Sequence, residues 1–177
     1  MIGTIEFAEA CDYAHAFAVD FTGRHISGLD FFPIDTPELY FRSTQYEQIR
    51  LFATSYGFQV LPFDRSRIPP NYASFLFLDP ISPDTIGLSI GQMRVWRDHE
   101  GLPISVQAIR SVLHEIGHRF LTVPRRGPLV FVAPFVANAV EEDAAWAFCM
   151  TFLALLAGDY AELRRAADID DFPKHTT

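Results

Sequence analysis

The chain has 177 residues, 49% of them hydrophobic and 17 of them phenylalanine, with a formal net charge of -8. That length and apolar content suit one domain with a sizeable core. The acidic balance argues against direct nucleic-acid binding, which needs a basic patch to neutralise phosphates, and no apolar run approaches the ~20 residues of a membrane span.

The opening residues Met1 to Glu6 lack the basic n-region of a secretory signal. The only cysteines, Cys11 and Cys149, are flanked by apolar helical residues and read as buried free thiols rather than a disulfide, so a cytoplasmic protein is expected. Residues 5–19 read as an amphipathic helix with Phe7, Cys11, Ala14 and Ala18 on one stripe. A loop-rich connector, 21–35, follows. Thr36 and Pro37 supply an N-cap and an N1 proline, and Gly57 a C-terminal stop, which predicts one helix over 37–56. Three strand candidates come next, 58–63, 74–78 and 85–90. The last two are joined by the turn-rich stretch Asp79-Pro80-Ile81-Ser82-Pro83-Asp84.

Pro103-Ile104-Ser105 reads as a loop ending in an N-cap serine, and the helix it starts has no breaker until Pro124. Ile109, Val112, Leu113, Ile116 and Phe120 recur on it at helical spacing, giving a core-facing stripe. Within this helix lies the chain's one H-E-x-x-H, His114-Glu115-Ile116-Gly117-His118. Residues four apart share a helix face, so the two imidazoles can converge on one metal ion, while Glu115 lies about 100° further round, placed to act as a general base on a water. That is a zinc-hydrolase pattern. Gly117 costs the helix roughly 1 kcal/mol against alanine, and close approach by another segment would justify it.

A third ligand must come from elsewhere. A metzincin-type histidine would fall at Pro124, which excludes that class, and the next histidine is His175. A second helix is predicted from an N-cap at Asn138, with acidic residues in its first turns and a long apolar run to Leu153. A carboxylate early on it could complete a His-His-Glu site with the fourth position left for water. Glu141 and Glu142 both qualify. His15, His25, His99 and His175 read as surface or satisfied core histidines. Tyr72, Tyr160 and His99 are candidate oxyanion donors, and spacing selects none of them.

Glu142-x-x-Ala145-x-x-Phe148-Cys149-x-x-Phe152-Leu153 resembles the E-x-x-A-x-x-F-A-x-x-L-L signature that follows the H-E-x-x-H helix in the ImmA/IrrE family of zinc peptidases. The resemblance spans roughly 75–153 and is strongest at the two helices. It implies His114, His118 and Glu142 as ligands of Zn2+ and Glu115 as the base, with Glu141 one residue out of phase. Cys149 stands where the family has alanine, Phe152 where it has leucine, and the proline usual after the leucines is missing. Trp146 occupies the place where related peptidases often carry an acid, so support for an imidazole must come from another group, with Asp143 or a backbone carbonyl as candidates.

The expected fold class is therefore α+β, a minimal zincin-like domain over 1–177 with helices packed around a small three-stranded sheet. Its parts are an N-terminal helical portion (about 1–57), the sheet (about 58–91), and the active-site helices (about 105–157). By the same resemblance, strand 85–90 is the candidate edge for adding an extended substrate, with an ordinary paired strand as the alternative. The expected activity is zinc-dependent cleavage of a specific intracellular protein, such as a helix-turn-helix repressor. Alternatives are a toxin or effector protease with another protein target, and a zinc-bound interaction module that does not cleave. The sequence leaves the oligomeric state open.

Overall fold

The computed structural model of the chain describes residues 4–24, 34–63, 74–77, 84–122 and 139–157. They form a mixed, helix-rich α+β arrangement with a small sheet. In chain order the elements are α1 (Thr4–Arg24), α2 (Pro37–Tyr40), α3 (Thr44–Ser55), β1 (Phe58–Phe63), β2 (Ser74–Phe77), β3 (Asp84–Ser89), α4 (Ile90–Glu100), α5 (Ile104–Gly117), a five-residue π-helical segment (His118–Thr122) and α6 (Ala139–Ala157).

Residues 37–56 form two helices rather than the one predicted. Thr36 and Pro37 do open α2, but the Ser43 hydroxyl donates to the carbonyl of Tyr40 at 2.6 Å and accepts from the amide of Tyr46 at 3.2 Å. Such side-chain bonds compete with the helical ladder, and here they end one helix and cap the next. Gly57 stops α3 as expected, at a φ of 88° that a side chain would resist. The following strand alternates, with Phe58 and Val60 buried, and the Tyr46 hydroxyl ties α3 to it by donating to the Val60 carbonyl.

In the sheet, β1 runs parallel to β3 and β2 runs antiparallel to it, in the order β1-β3-β2. The strand expected at the edge is thus the central one. Ile86, Gly87, Leu88 and Ser89 are all buried, so both faces of this strand are covered there. Among the described residues the edges are β1, where Pro62 lacks the amide an inner strand would need, and β2. Ser89 then caps α4, accepting from the amide of Gln92, and Gly101 ends that helix in the left-handed region.

The core lies around α5, all fourteen residues of which are buried. Its expected cap is displaced: α5 begins at Ile104 after Pro103. Ser105 instead accepts from the Ile34 amide at 3.1 Å and donates its own amide to the Ile34 carbonyl at 3.2 Å, pinning the segment before α2 to this helix. Helix α6 packs against α1 and α5, and Phe17 of α1 meets Phe148 and Phe152 of α6 ring to ring. On α1 the buried stripe is Ala10, Ala14, Phe17 and Ala18, whereas Cys11 is exposed, against expectation. The predicted cap at Asn138 lies outside the described residues. None of the described helices is long and apolar enough to cross a membrane.

Candidate metal centre

A helix buried on every side must answer each of its polar side chains internally, because an unpaired polar group there costs about 1–3 kcal/mol. In the first half of α5 the partners are structural. The Gln107 side-chain amide donates to the Leu102 carbonyl at 2.9 Å, and the Arg110 guanidinium makes a forked pair with Glu100 at the end of α4, at 3.0 and 3.1 Å. This buried ion pair gave no sign in the sequence reading, where Arg110 is merely one more helix former. In its second half the polar residues turn to a shared site. Ser74, the first residue of β2, donates its hydroxyl to Glu115 Oε1 at 2.7 Å, and both side chains are buried.

His114 and His118 present their Nε2 atoms 3.0 Å apart. Glu142, in the first turn of α6, reaches both, with Oε2 3.0 Å from His114 Nε2 and Oε1 3.1 Å from His118 Nε2. The three side chains are buried, and one ligand atom from each lies within 4.8 Å of the others, so the group could hold a metal ion. Donors bound at about 2.0–2.1 Å around a tetrahedral ion sit roughly 3.3 Å apart. The observed spacings need only a slight opening to match.

Two features bring α5 and α6 close enough for this. Gly117 faces α6 so tightly that a Cβ there would lie 3.1 Å from Phe148 Cδ1 and 3.3 Å from both Cα and O of Ala145. The close approach expected of this glycine is therefore present, and its partner is the glutamate helix. One turn further on, the Cys149 thiol donates to the Arg110 carbonyl at 3.2 Å, a link between the helices that an alanine at this position would not make. On the other side of the motif Arg119 donates to Asp84 at the start of β3, so the π-helical segment anchors the end of the ligand helix to the sheet.

Charge follows from this packing. Burial pushes the His114 imidazole down to about 4, only partly opposed by the Glu142 carboxylate, so it is neutral at physiological pH as a ligand must be. His118 is equally buried, but its hydrogen bond to Glu142 and the charges of Glu115, Glu142 and Glu141 outweigh desolvation and raise its pKa. For Glu142 burial works upward, yet the two imidazoles hold its carboxyl well below the usual carboxylate range.

No family model, curated protein or solved structure matches this chain.

The site accordingly stands on its own geometry. His114, His118 and Glu142 converge, the two histidines as their spacing predicts and Glu142 as the resemblance implies, with Glu115 buried beside them. Glu141 is half-exposed and is not part of the converging group. Trp146 stacks on His114 from the position where an acid was looked for, and Asp143, the suggested support, is exposed. His15 and His99 are exposed on α1 and α4, while His25, His175, Tyr72 and Tyr160 lie outside the described residues. Ser74 was missed as a site residue, because it joins Glu115 across 41 positions with no local pattern.

Proposed function

We propose that this protein is a zinc-dependent endopeptidase acting on a specific protein substrate. The observation that carries the reading is the convergence of two helical imidazoles and one carboxylate in a buried cluster, with a second carboxylate, Glu115, on the helix of the histidines. A purely structural zinc site would normally close all four positions with protein ligands and would have no use for Glu115. Two imidazole nitrogens and an ionised carboxylate also make a donor set suited to zinc.

His114, His118 and Glu142 would hold the ion. Bound there, zinc would supply a Lewis acid that acidifies a water towards neutral pH and polarises a peptide carbonyl. Glu115 accepts the proton of the attacking water and delivers it to the amide nitrogen as the C–N bond breaks. The low-dielectric surroundings of these buried side chains strengthen each of these interactions. An extended substrate segment would add alongside β2, the edge strand whose Ser74 touches Glu115, rather than alongside the central β3.

The resemblance to the ImmA/IrrE peptidases supports a transcriptional regulator as the substrate and the cytoplasm as the place of action. The test is Glu115→Gln, which keeps the metal ligands but cannot accept the proton. Expressed in the native host, this variant should retain a bound protein that wild type shortens or removes. If wild type and Glu115→Gln bind the same partner and both leave it intact, the protein is a non-cleaving interaction module instead. Cleavage of a protein with no regulatory role would assign it to the toxin or effector proteases.

A further inference from the structure

Glutamate is a loose base. Its terminal torsion is broad and roughly two-fold, so a carboxylate with nothing to hold it presents either oxygen over a range of angles. A catalytic group displaced by as little as 1 Å can lose about a hundredfold in rate. Something must therefore aim Glu115. The Ser74 hydroxyl meets Oε1 from the other side, across the boundary between sheet and helix, at 2.7 Å. Its own position is fixed, since Ser74 pairs with Leu88 of the central strand and is buried.

We propose that Ser74 is a positioning residue for the base: its hydroxyl holds Glu115 Oε1 and so fixes the orientation of the carboxylate. The inference rests on Glu115 being the base. It also couples the aim of the base to the strand proposed to receive the substrate, because Ser74 belongs to β2. A serine that merely satisfied a buried carboxylate would support the fold and leave the reactive geometry unchanged.

The test uses the full chain loaded with Co(II) and titrated with acetohydroxamate, followed by the visible absorption of the ion. This probe chelates through two oxygens and carries an acidic proton for a nearby carboxylate to accept. Glu115→Gln should weaken its binding at least tenfold, as expected when the proton acceptor is removed. Ser74→Ala should weaken it by about tenfold, the scale of a lost outer support, with the affinity for Co(II) itself unchanged. Ser74→Thr, which keeps the hydroxyl, should bind as wild type, and Ser74→Val, of the same shape without the hydroxyl, should behave as Ser74→Ala. The threonine and valine pair decides the matter if the alanine variant does not fold.

If the alanine and valine variants bind the probe like wild type while Glu115→Gln is impaired, the positioning role is wrong and the base survives. Loss of Co(II) affinity in parallel with loss of probe binding would reduce Ser74 to a structural part. Unimpaired binding by Glu115→Gln would overturn the assignment of the base, and this inference with it.

Discussion

The indole of Trp146 lies nearly flat on the imidazole of His114, with ring centroids 3.7 Å apart and planes inclined by 29°. A stacked ring fixes the plane of the imidazole, and so the direction of its Nε2 lone pair, without offering a charge. We expect Trp146→Ala to weaken zinc binding by roughly 10–100-fold, as loss of ligand support does, and Trp146→Phe to weaken it less. Tryptophan fluorescence should respond to added zinc in the wild type and not in Trp146→Phe, where the other tryptophan, Trp96 on α4, remains. Equal zinc affinity in all three proteins would show that His114 is oriented by something else.

Metal removal should destabilise the fold, since the ligands come from two helices. A ligand present at a thousand times its Kd contributes about 4 kcal/mol, which for a chain of this size corresponds to roughly 8–16 °C in Tm. Chelator should produce a drop of that order in wild type and almost none in His118→Ala. Glu142→Gln should lose the zinc-dependent gain, while Glu141→Gln, outside the converging group, keeps it. The opposite ranking of the two glutamates would move the third ligand by one residue.

Gly117→Ala sets two effects against each other. Alanine gains about 1 kcal/mol in helix propensity, but its methyl would press on Phe148 and on the backbone of Ala145, and overpacking costs typically 1–3 kcal/mol. Backbone atoms cannot swing aside, so packing should win. The expected result is a net loss of about 1 kcal/mol in denaturant unfolding together with weaker zinc binding, as the ligand helices are pushed apart. A stabilised variant with unchanged zinc affinity would mean that the interface has slack.

The two thiols should react very differently. Cys11 is exposed, while burial pushes the Cys149 thiol up to about 12. Only the thiolate is nucleophilic, and at pH 8 Cys149 would have roughly one part in ten thousand in that form. A thiol reagent should count one cysteine in the native protein and two in denaturant. Raising the pH from 7 to 9 should not bring in the second, and a native count of two would reveal that α5 and α6 separate readily.

Much of the site was legible because it is local. H-E-x-x-H on a helix without proline brings two histidines together with a carboxylate beside them, and the phase of Ala145, Phe148 and Phe152 places Glu142 rather than Glu141 at the ligand position of the family it resembles. The structure adds why: Ala145 and Phe148 are the residues that meet Gly117. What escaped is non-local or short. The order of strands depends on which segments meet in space, so nothing within 85–90 could reveal that β3 is central. Helix α4 buries only Met93 and Trp96, too little for an apolar stripe, although Ser89 and Gly101 mark its ends. Ser43 splits a segment whose pattern is otherwise helical throughout, and Ser105 turns its hydroxyl to Ile34 instead of capping. Cys11 follows the periodicity of α1 but lies just off the face that α6 covers.

The His118–Glu142 contact joins residues 24 apart in the chain and on different helices. An ion held there is a cross-link as well as a reagent. The unfolded chain must bring those positions together by chance, at an entropic cost that grows only slowly with the intervening length, whereas the folded chain holds them together through Gly117 and Cys149. Binding of the ion and closure of the two helices are then thermodynamically linked: whatever parts α6 from α5 weakens the hold on the ion, and whatever removes the ion eases their parting.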